Sequence, residues 1–229
     1  MKNPKVLVKN EVPRSIRAQL FPLFETGAKA YYEIINTNKE FINSVFLNNI
    51  KGNLFNYLIF RQFEPDMINN NFPFKFEAKT VNNFKYRSLN LVRPNSIINI
   101  GKAFDKDSLP NRSLYRRKLC KHNNFREKNL LFAINNDNKL CLKSSPYYMF
   151  LTYGYNYKKF ELEFVNLVIP DKKMKDFIYK IDIKSEYALH RTLKISREEK
   201  RETEKKIAFL KEDVIKQFNI FKGIDGHEN

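Results

Sequence analysis

One run of basic residues without acidic neighbours has the most clearly defined chemistry in the sequence. Residues 75–128 contain fourteen Lys and Arg against four Asp and Glu, a surplus of ten out of a net charge of +17. Within this stretch, residues 108–126 include no acidic residue at all, and we call residues 108–126 the basic run. A positive field of this size attracts phosphate-bearing partners, and cations that neutralise backbone phosphates release counterions. We therefore expect this run to contact nucleic acid.

Seven cations in and beside the run are the predicted nucleic-acid contacts. They are Arg93, Lys102, Arg112, Arg116, Arg117, Lys118 and Lys121. Five aromatic residues are interleaved with the cations of residues 75–128, and exposed rings of this kind would stack on unpaired bases. They are Phe84, Tyr86, Phe104, Tyr115 and Phe125. Because aromatic side chains are mostly core residues, we expect most of these rings to be buried and the cations to make the phosphate contacts.

A second pattern combines two carboxylates with a lysine. Pro65-Asp66 is followed, after ten residues, by Glu77-Ala78-Lys79, and on a strand Glu77 and Lys79 would share one face. This spacing resembles the motif of the PD-(D/E)XK nuclease superfamily. The resemblance implies Asp66, Glu77 and Lys79 as catalytic residues, with Asp66 and Glu77 binding Mg²⁺ and Lys79 orienting or activating the attacking water. Carboxylates that converge on a hard divalent cation can polarise a phosphodiester.

The carboxylate-x-lysine triplet is not unique in this chain. It occurs six times, and Pro170-Asp171 followed by Asp182-Ile183-Lys184 repeats the whole pattern at the same spacing. We prefer the first copy because residues 75–81 alternate like a strand and lead into the basic run. The second copy is predicted to lie on a helix capped by Asp171.

The hydrophobic periodicity predicts a chain that begins helical, changes to strands and ends helical. Helices are expected over residues 14–63 and 171–221, the latter including a final helix over residues 196–218. Between them, residues 74–169 are expected to form a sheet with a basic insert. The expected strands cover residues 74–78, 88–92, 97–104, 130–134, 140–143, 147–153 and 159–169. In the insert, Ser108 would cap a helix whose Leu114 and Leu119 face inward while Arg112, Arg116 and Arg117 face solvent.

These elements predict a single α+β domain over residues 1–229, with N-terminal helices, a central mainly antiparallel sheet and C-terminal helices. The 42% hydrophobic content is sufficient for a core. Cys120 and Cys141 are expected to be ordinary reduced thiols. No Cys/His set has zinc-binding spacing. The sequence also lacks phosphate-binding-loop, dinucleotide-binding and serine-hydrolase motifs. Without a signal peptide or an apolar stretch of membrane-spanning length, we expect a cytoplasmic protein with no membrane partner.

The predicted function is nucleic-acid binding, and the predicted enzymatic form is a Mg²⁺-dependent nuclease. No helix-turn-helix, zinc-finger, basic-zipper or RNA-recognition signature is present, so both DNA and RNA are open as partners. The alternative is a non-enzymatic phage or mobile-element interaction protein, without a cofactor. Such a protein would use the basic face to inhibit or regulate an acidic or nucleic-acid-associated protein partner.

Overall fold

The computed structural model describes residues 3–42, 44–45, 48–68, 71–81, 86–123, 132–134, 140–142 and 146–192. The chain divides into two compact units, Met1–Glu186 and Tyr187–Asn229. All seven predicted nucleic-acid contacts and the three predicted nuclease residues belong to the first unit. The predicted helix over residues 196–218 and the aromatic residues Phe84 and Phe125 lie outside the described residues.

The N-terminal part of the chain is helical, as predicted. Its helices are α1 (Pro4–Glu11), α2 (Arg14–Thr37), α3 (Lys39–Ile42) and α4 (Asn48–Arg61). α1 begins where the Asn3 side chain accepts a hydrogen bond from the Lys5 amide, with Pro4 in the first turn. Pro13 lies immediately before α2, where its fixed φ angle suits a helix start. Among the described residues, no helix is long and apolar enough to cross a bilayer.

Six strands form the central sheet, and its mainly antiparallel character confirms the predicted α+β class. The strands are β1 (Lys75–Thr80), β2 (Arg87–Arg93), β3 (Ser96–Lys102), β6 (Tyr147–Asn156), β7 (Glu161–Pro170) and β8 (Phe177–Asp182). Their order is β1-β2-β3-β6-β7-β8, and only the β3–β6 pair among them is parallel. The short strands β4 (Phe132–Ile134) and β5 (Leu140–Leu142) form a separate antiparallel pair.

Aromatic packing joins α2 and α4 to one face of this sheet. The rings of Phe24 and Tyr153 lie 5.4 Å apart between centroids, and those of Phe55 and Tyr155 stack at 4.1 Å. Each buried ring of this size contributes roughly 1.5–3 kcal/mol of hydrophobic stabilisation. We call this side of the sheet the helix face.

The opposite face of the sheet has its own core because neighbouring side chains on a strand point to opposite sides. Tyr148 and Phe150 of β6 pack there with Cys120, Val168 and Met174. This side is covered by residues 103–123, which follow β3 and contain α5 (Leu114–Cys120). We call residues 103–123 the basic layer.

The helix predicted immediately after Pro170 is wrong, because residues 177–182 form strand β8. Asp171 accepts hydrogen bonds from the amides of Lys175 and Asp176, and Met174 has a positive φ of 53°. This turn returns the chain along β7, where β8 completes the antiparallel ladder. The spacing of apolar residues in this segment fits a helix as well as a strand. Residues 177–182 form a strand because they pair with the open edge of β7. Helical structure begins only at residue 183 and continues to residue 192.

The helix within the basic run is present but shorter and differently oriented than predicted. It starts at Leu114, and its cap is Ser113, whose Oγ accepts from the Arg116 amide at 3.2 Å. Ser108 instead bonds to Asp105 in the preceding turn. Leu114 was expected to face inward but is 69% exposed. The inward face is occupied partly by Arg116, so its predicted solvent-facing position is also wrong.

Candidate nucleic-acid interface

Side-chain hydrogen bonds to main-chain groups hold the basic layer against the sheet and the β7–β8 turn. Asn166 of β7 donates to the carbonyl of Lys106 at 2.9 Å, and Arg112 donates to the carbonyl of Lys173 at 2.8 Å. At the end of the layer, the buried Asn123 side chain donates to the Tyr148 carbonyl at 2.6 Å and accepts from its amide at 2.8 Å. The layer is therefore a fixed support for its cations rather than a loose tail.

α5 has an inward face and a cationic outward face. Tyr115, Arg116, Leu119 and Cys120 are half-buried or buried, and their spacing follows the helical period. Arg117 and Lys118 are exposed, as are Arg112 before the helix and Lys121 after it. Four of the predicted contacts therefore share one exposed segment.

A network of polar side chains connects α5 to β2 and β3. The Asn99 amide nitrogen donates to Ser88 Oγ at 2.6 Å and to Asn90 Oδ1 at 2.9 Å. Asn90 in turn donates to the Tyr115 hydroxyl at 2.7 Å. Burial raises the pKa of Tyr115, so this hydroxyl stays protonated at neutral pH. The sequence contained a signal for this network, since Asn90 and Asn99 interrupt apolar strands at positions that share one face.

Arg116 completes the network and is held in a fixed orientation. Its Nε donates to Asn99 Oδ1 at 3.1 Å and its Nη1 donates to the Asn111 carbonyl at 2.8 Å. A Cβ atom on Gly101 would lie 2.9 Å from Arg116 Nη2, so the absence of a side chain there makes room for the guanidinium. Both of these acceptors are neutral, and the described residues include no carboxylate in an ion pair with Arg116. Its positive charge is therefore oriented without being neutralised.

A cleft of about 380 Å³ opens beside Arg116, where β2 and β3 separate. Pairing between these strands ends at Asn90 and Asn99, although β2 begins at Arg87 and β3 continues to Lys102. The residues that line the cleft are Asn56, Phe60, Tyr86, Ile100, Gly101, Lys102, Ala103, Phe104, Asn111, Arg116 and Tyr153. Two of them are cations and, among the described residues, none is acidic.

Two aromatic residues predicted to be mostly core are exposed at this cleft. The Phe104 side chain is 94% exposed and that of Tyr86 is 45% exposed. Tyr115, by contrast, is half-buried in the polar network. The expectation of burial is therefore wrong for Phe104 and Tyr86, because both lie outside the core where the strands separate.

The structure does not place all seven predicted contacts together. Lys102 lines the cleft and donates to the Tyr157 hydroxyl at 3.0 Å, with its ammonium 4.6 Å from the centre of that ring. Arg93 instead donates to the Glu11 carbonyl at the end of α1 and lies 5.8 Å from the ring centre of Phe74. Six of the seven predicted contacts thus lie in the basic layer or at the cleft, while Arg93 bonds to α1.

The predicted nuclease residues are only partly brought together. Glu77 and Lys79 lie exposed on the same face of β1, and the Lys79 ammonium is 5.8 Å from the ring centre of Tyr115. Both oxygens of Asp66 accept hydrogen bonds from Arg61, at 2.6 and 2.5 Å. This ion pair lowers the pKa of Asp66. Asp66 is therefore engaged in an ion pair with Arg61, while Glu77 lies on β1.

The second copy of the motif has structural partners instead. Asp171 is bonded within its turn, while Asp182 caps the helical segment 183–192 by accepting from the Ser185 amide at 2.9 Å. Lys184 donates to the Leu162 carbonyl at 2.5 Å. The described residues contain no group of three or more His, Cys, Asp and Glu side chains able to hold a metal ion. Mg²⁺ dependence stays a prediction.

Comparisons with known proteins give no family for the chain. No protein-family model matches it, and neither the curated proteins nor the solved structures contain a match. The basic layer and the cleft are therefore the features of the chain that bear on its function.

Proposed function

We propose that this protein binds nucleic acid through the basic layer, with Arg112, Arg117, Lys118 and Lys121 contacting backbone phosphates. One observation carries the proposal. All four cations are exposed, and none of them forms an ion pair with a carboxylate of the described residues. Exposed cations without carboxylate partners are available to replace the counterions of a phosphate backbone.

Cations elsewhere in the first unit provide the contrast. Arg17 pairs with Glu186 at 2.6 Å, Arg61 with Asp66 at 2.5 Å, and Lys180 pairs with Asp107. Their charges are compensated within the fold. The layer, by contrast, places four exposed cations without carboxylate partners among the described residues in one segment, residues 112–121, as expected for a surface that meets a polyanion.

The test is a charge reversal with a matched control. Arg117→Glu, Lys118→Glu and Lys121→Glu are combined in one variant, because these exposed side chains form no hydrogen bond or ion pair with other described residues. The control combines Lys5→Glu, Lys158→Glu and Lys159→Glu, which makes the same change in net charge at exposed positions outside the layer. Binding to labelled oligonucleotides is measured by fluorescence anisotropy across a salt series.

We expect the layer variant to lose affinity for every sequence and the control to lose much less. The slope of log K against log salt should fall by about 0.7–0.9 for each phosphate contact removed. Equal losses in the two variants would contradict an interface located in the layer. Nucleic acid that fails to bind the native protein, together with a co-purifying acidic protein, would support the alternative function.

A further inference from the structure

The cleft beside Arg116 has a composition that the charged surface of the layer does not explain. Backbone phosphate contacts require only exposed cations, yet this site combines cations with open aromatic rings where two strands stop pairing. The Asn99 side chain enters the gap and donates to the Leu89 carbonyl at 3.1 Å. This hydrogen bond gives the Leu89 backbone carbonyl a donor at the point where the β2–β3 ladder ends.

The charged groups of the cleft are suited to one phosphate. The Arg116 guanidinium is fixed by Asn99 and Asn111, and Lys102 is positioned by the Tyr157 hydroxyl. An oriented guanidinium can form two parallel hydrogen bonds to phosphate oxygens, while a lysine adds a point charge. Since the described lining residues include no carboxylate, nothing in that set repels an anion.

The uncharged groups of the cleft are suited to a base. Phe104 exposes almost its whole ring, and Tyr86 and Phe60 add further aromatic surface. Asn56 supplies an amide whose Oδ1 accepts from the Tyr153 hydroxyl at 2.6 Å, which fixes the orientation of that amide. Aromatic planes next to a cationic groove are the usual platform for bases that are not stacked in a duplex.

We propose that the cleft between β2 and β3 holds a single unpaired nucleotide of the bound strand, with its phosphate on Arg116 and Lys102 and its base on Phe104. The proposal rests on the nucleic-acid binding proposed above. A volume of about 380 Å³ lies within the usual range of sites for small ligands. A duplex cannot enter in this way, because its base faces are covered by their neighbours. The protein should therefore prefer single-stranded nucleic acid.

A tryptophan reporter tests this assignment directly, since the native sequence contains no Trp. In a Phe104→Trp variant, which keeps an aromatic plane at this position, single-stranded oligonucleotide should quench the new fluorescence. A Tyr57→Trp variant is the control, because Tyr57 is 59% exposed on α4 and is not among the residues that line the cleft. Quenching in both variants, or in neither, would overturn the assignment.

Affinity measurements on Phe104→Ala provide the second arm. This exposed position should tolerate alanine without loss of folding. We expect binding of single strands to weaken by about 5- to 150-fold, as for loss of one stacked base, and duplex binding to be unchanged. Single-strand affinity equal to that of the native protein would overturn the nucleotide site. If duplex binding in that case remains salt-dependent, the proposed phosphate contacts of the layer are still supported.

A free nucleotide offers the same base and phosphate as a strand, so mononucleotides are titrated alongside the oligonucleotides. We expect them to bind much more weakly, because they lack the neighbouring phosphates that the layer contacts. If mononucleotides bind as tightly as oligonucleotides, and Phe104→Ala abolishes their binding, the ligand of the cleft is a free nucleotide. That result would overturn the assignment of the cleft to a nucleotide within a nucleic-acid strand. Failure of every nucleic acid to bind would overturn both proposals.

Discussion

At the scale of single residues, Arg116 is a cation that the fold positions without a carboxylate partner among the described residues. Its two neutral acceptors and the space above Gly101 set the direction in which the guanidinium points. The exposed cations of α5 are not constrained in this way. Arg116 therefore contributes orientation as well as charge, and the two contributions can be separated experimentally.

Arg116→Lys is the variant that separates them. Lysine keeps the charge but cannot reproduce a planar fork that reaches both Asn99 and Asn111. We expect weaker binding of single strands with little change in the salt slope, and a loss of about 1–3 kcal/mol in unfolding free energy from broken hydrogen bonds. Anisotropy and urea denaturation measure the two effects. Affinity equal to that of the native chain would show that orientation is unimportant.

The fold predicts that the Cys120 thiol reacts slowly with alkylating reagents. Its side chain is fully buried, and burial raises the pKa of its thiol to about 12 from an ordinary value near 9. Because the thiolate is the reactive form, the folded chain should resist alkylation up to about pH 10, where an unfolded chain reacts readily. The measurement is iodoacetamide labelling in a Cys141→Ser background, with and without urea. Equal rates in the two conditions would contradict the burial.

At the scale of elements, α5 supports the interface because it connects the outer cations to the inner network. The Ser113 cap sets where the helix begins. Tyr115 and Arg116 on the inward face of the helix then bond to Asn90 and Asn99 of the sheet. A stable first turn of α5 therefore supports the position of Arg116 beside the cleft.

Ser113→Ala should therefore affect both stability and binding. Loss of an N-cap costs about 0.5–2 kcal/mol, and fraying of α5 would also release Arg116. Ser108→Ala is the matched control, since the side-chain hydrogen bonds of Ser108 to described residues lie within the exposed turn at Asp105. Thermal unfolding and oligonucleotide affinity are measured for both variants. A larger effect from Ser108→Ala would place the helix start where the sequence alone predicted it.

The sequence predicted elements better than it predicted the orientation of side chains. Strands β1, β2, β3, β6 and β7 overlap their predicted ranges because alternation and turn residues are local signals. β8 was missed because its spacing also suits a helix, and only the edge of β7 distinguishes the two. The inward turn of Arg116 depends on Asn99 and Gly101, which lie at least fifteen residues away in sequence.

The same reasoning explains how much of the site could be predicted. Charge is a property of composition, so the basic run could be identified from the sequence, and six of its seven predicted contacts do lie in the layer or at the cleft. The cleft depends on where β2 and β3 separate, which is a tertiary property. Asp66, Glu77 and Lys79 were selected by spacing, and spacing could not predict that Arg61 would bind Asp66.

At the scale of the whole molecule, the first unit is asymmetric. α2 and α4 cover one face of the sheet with aromatic core, while the other face is covered by a layer rich in cations that lack carboxylate partners among the described residues. Such asymmetry predicts one preferred side for a polyanion, and an encounter rate that depends on ionic strength.

The most direct test of nucleic-acid binding is a salt titration of the native protein with single-stranded and duplex oligonucleotides of DNA and RNA. We expect log K to fall linearly with log salt, with tighter binding of single strands, because each phosphate contact releases counterions and the cleft accepts an unpaired base. Absence of binding at low salt, or binding whose affinity does not change with salt, would contradict nucleic-acid recognition by the basic layer.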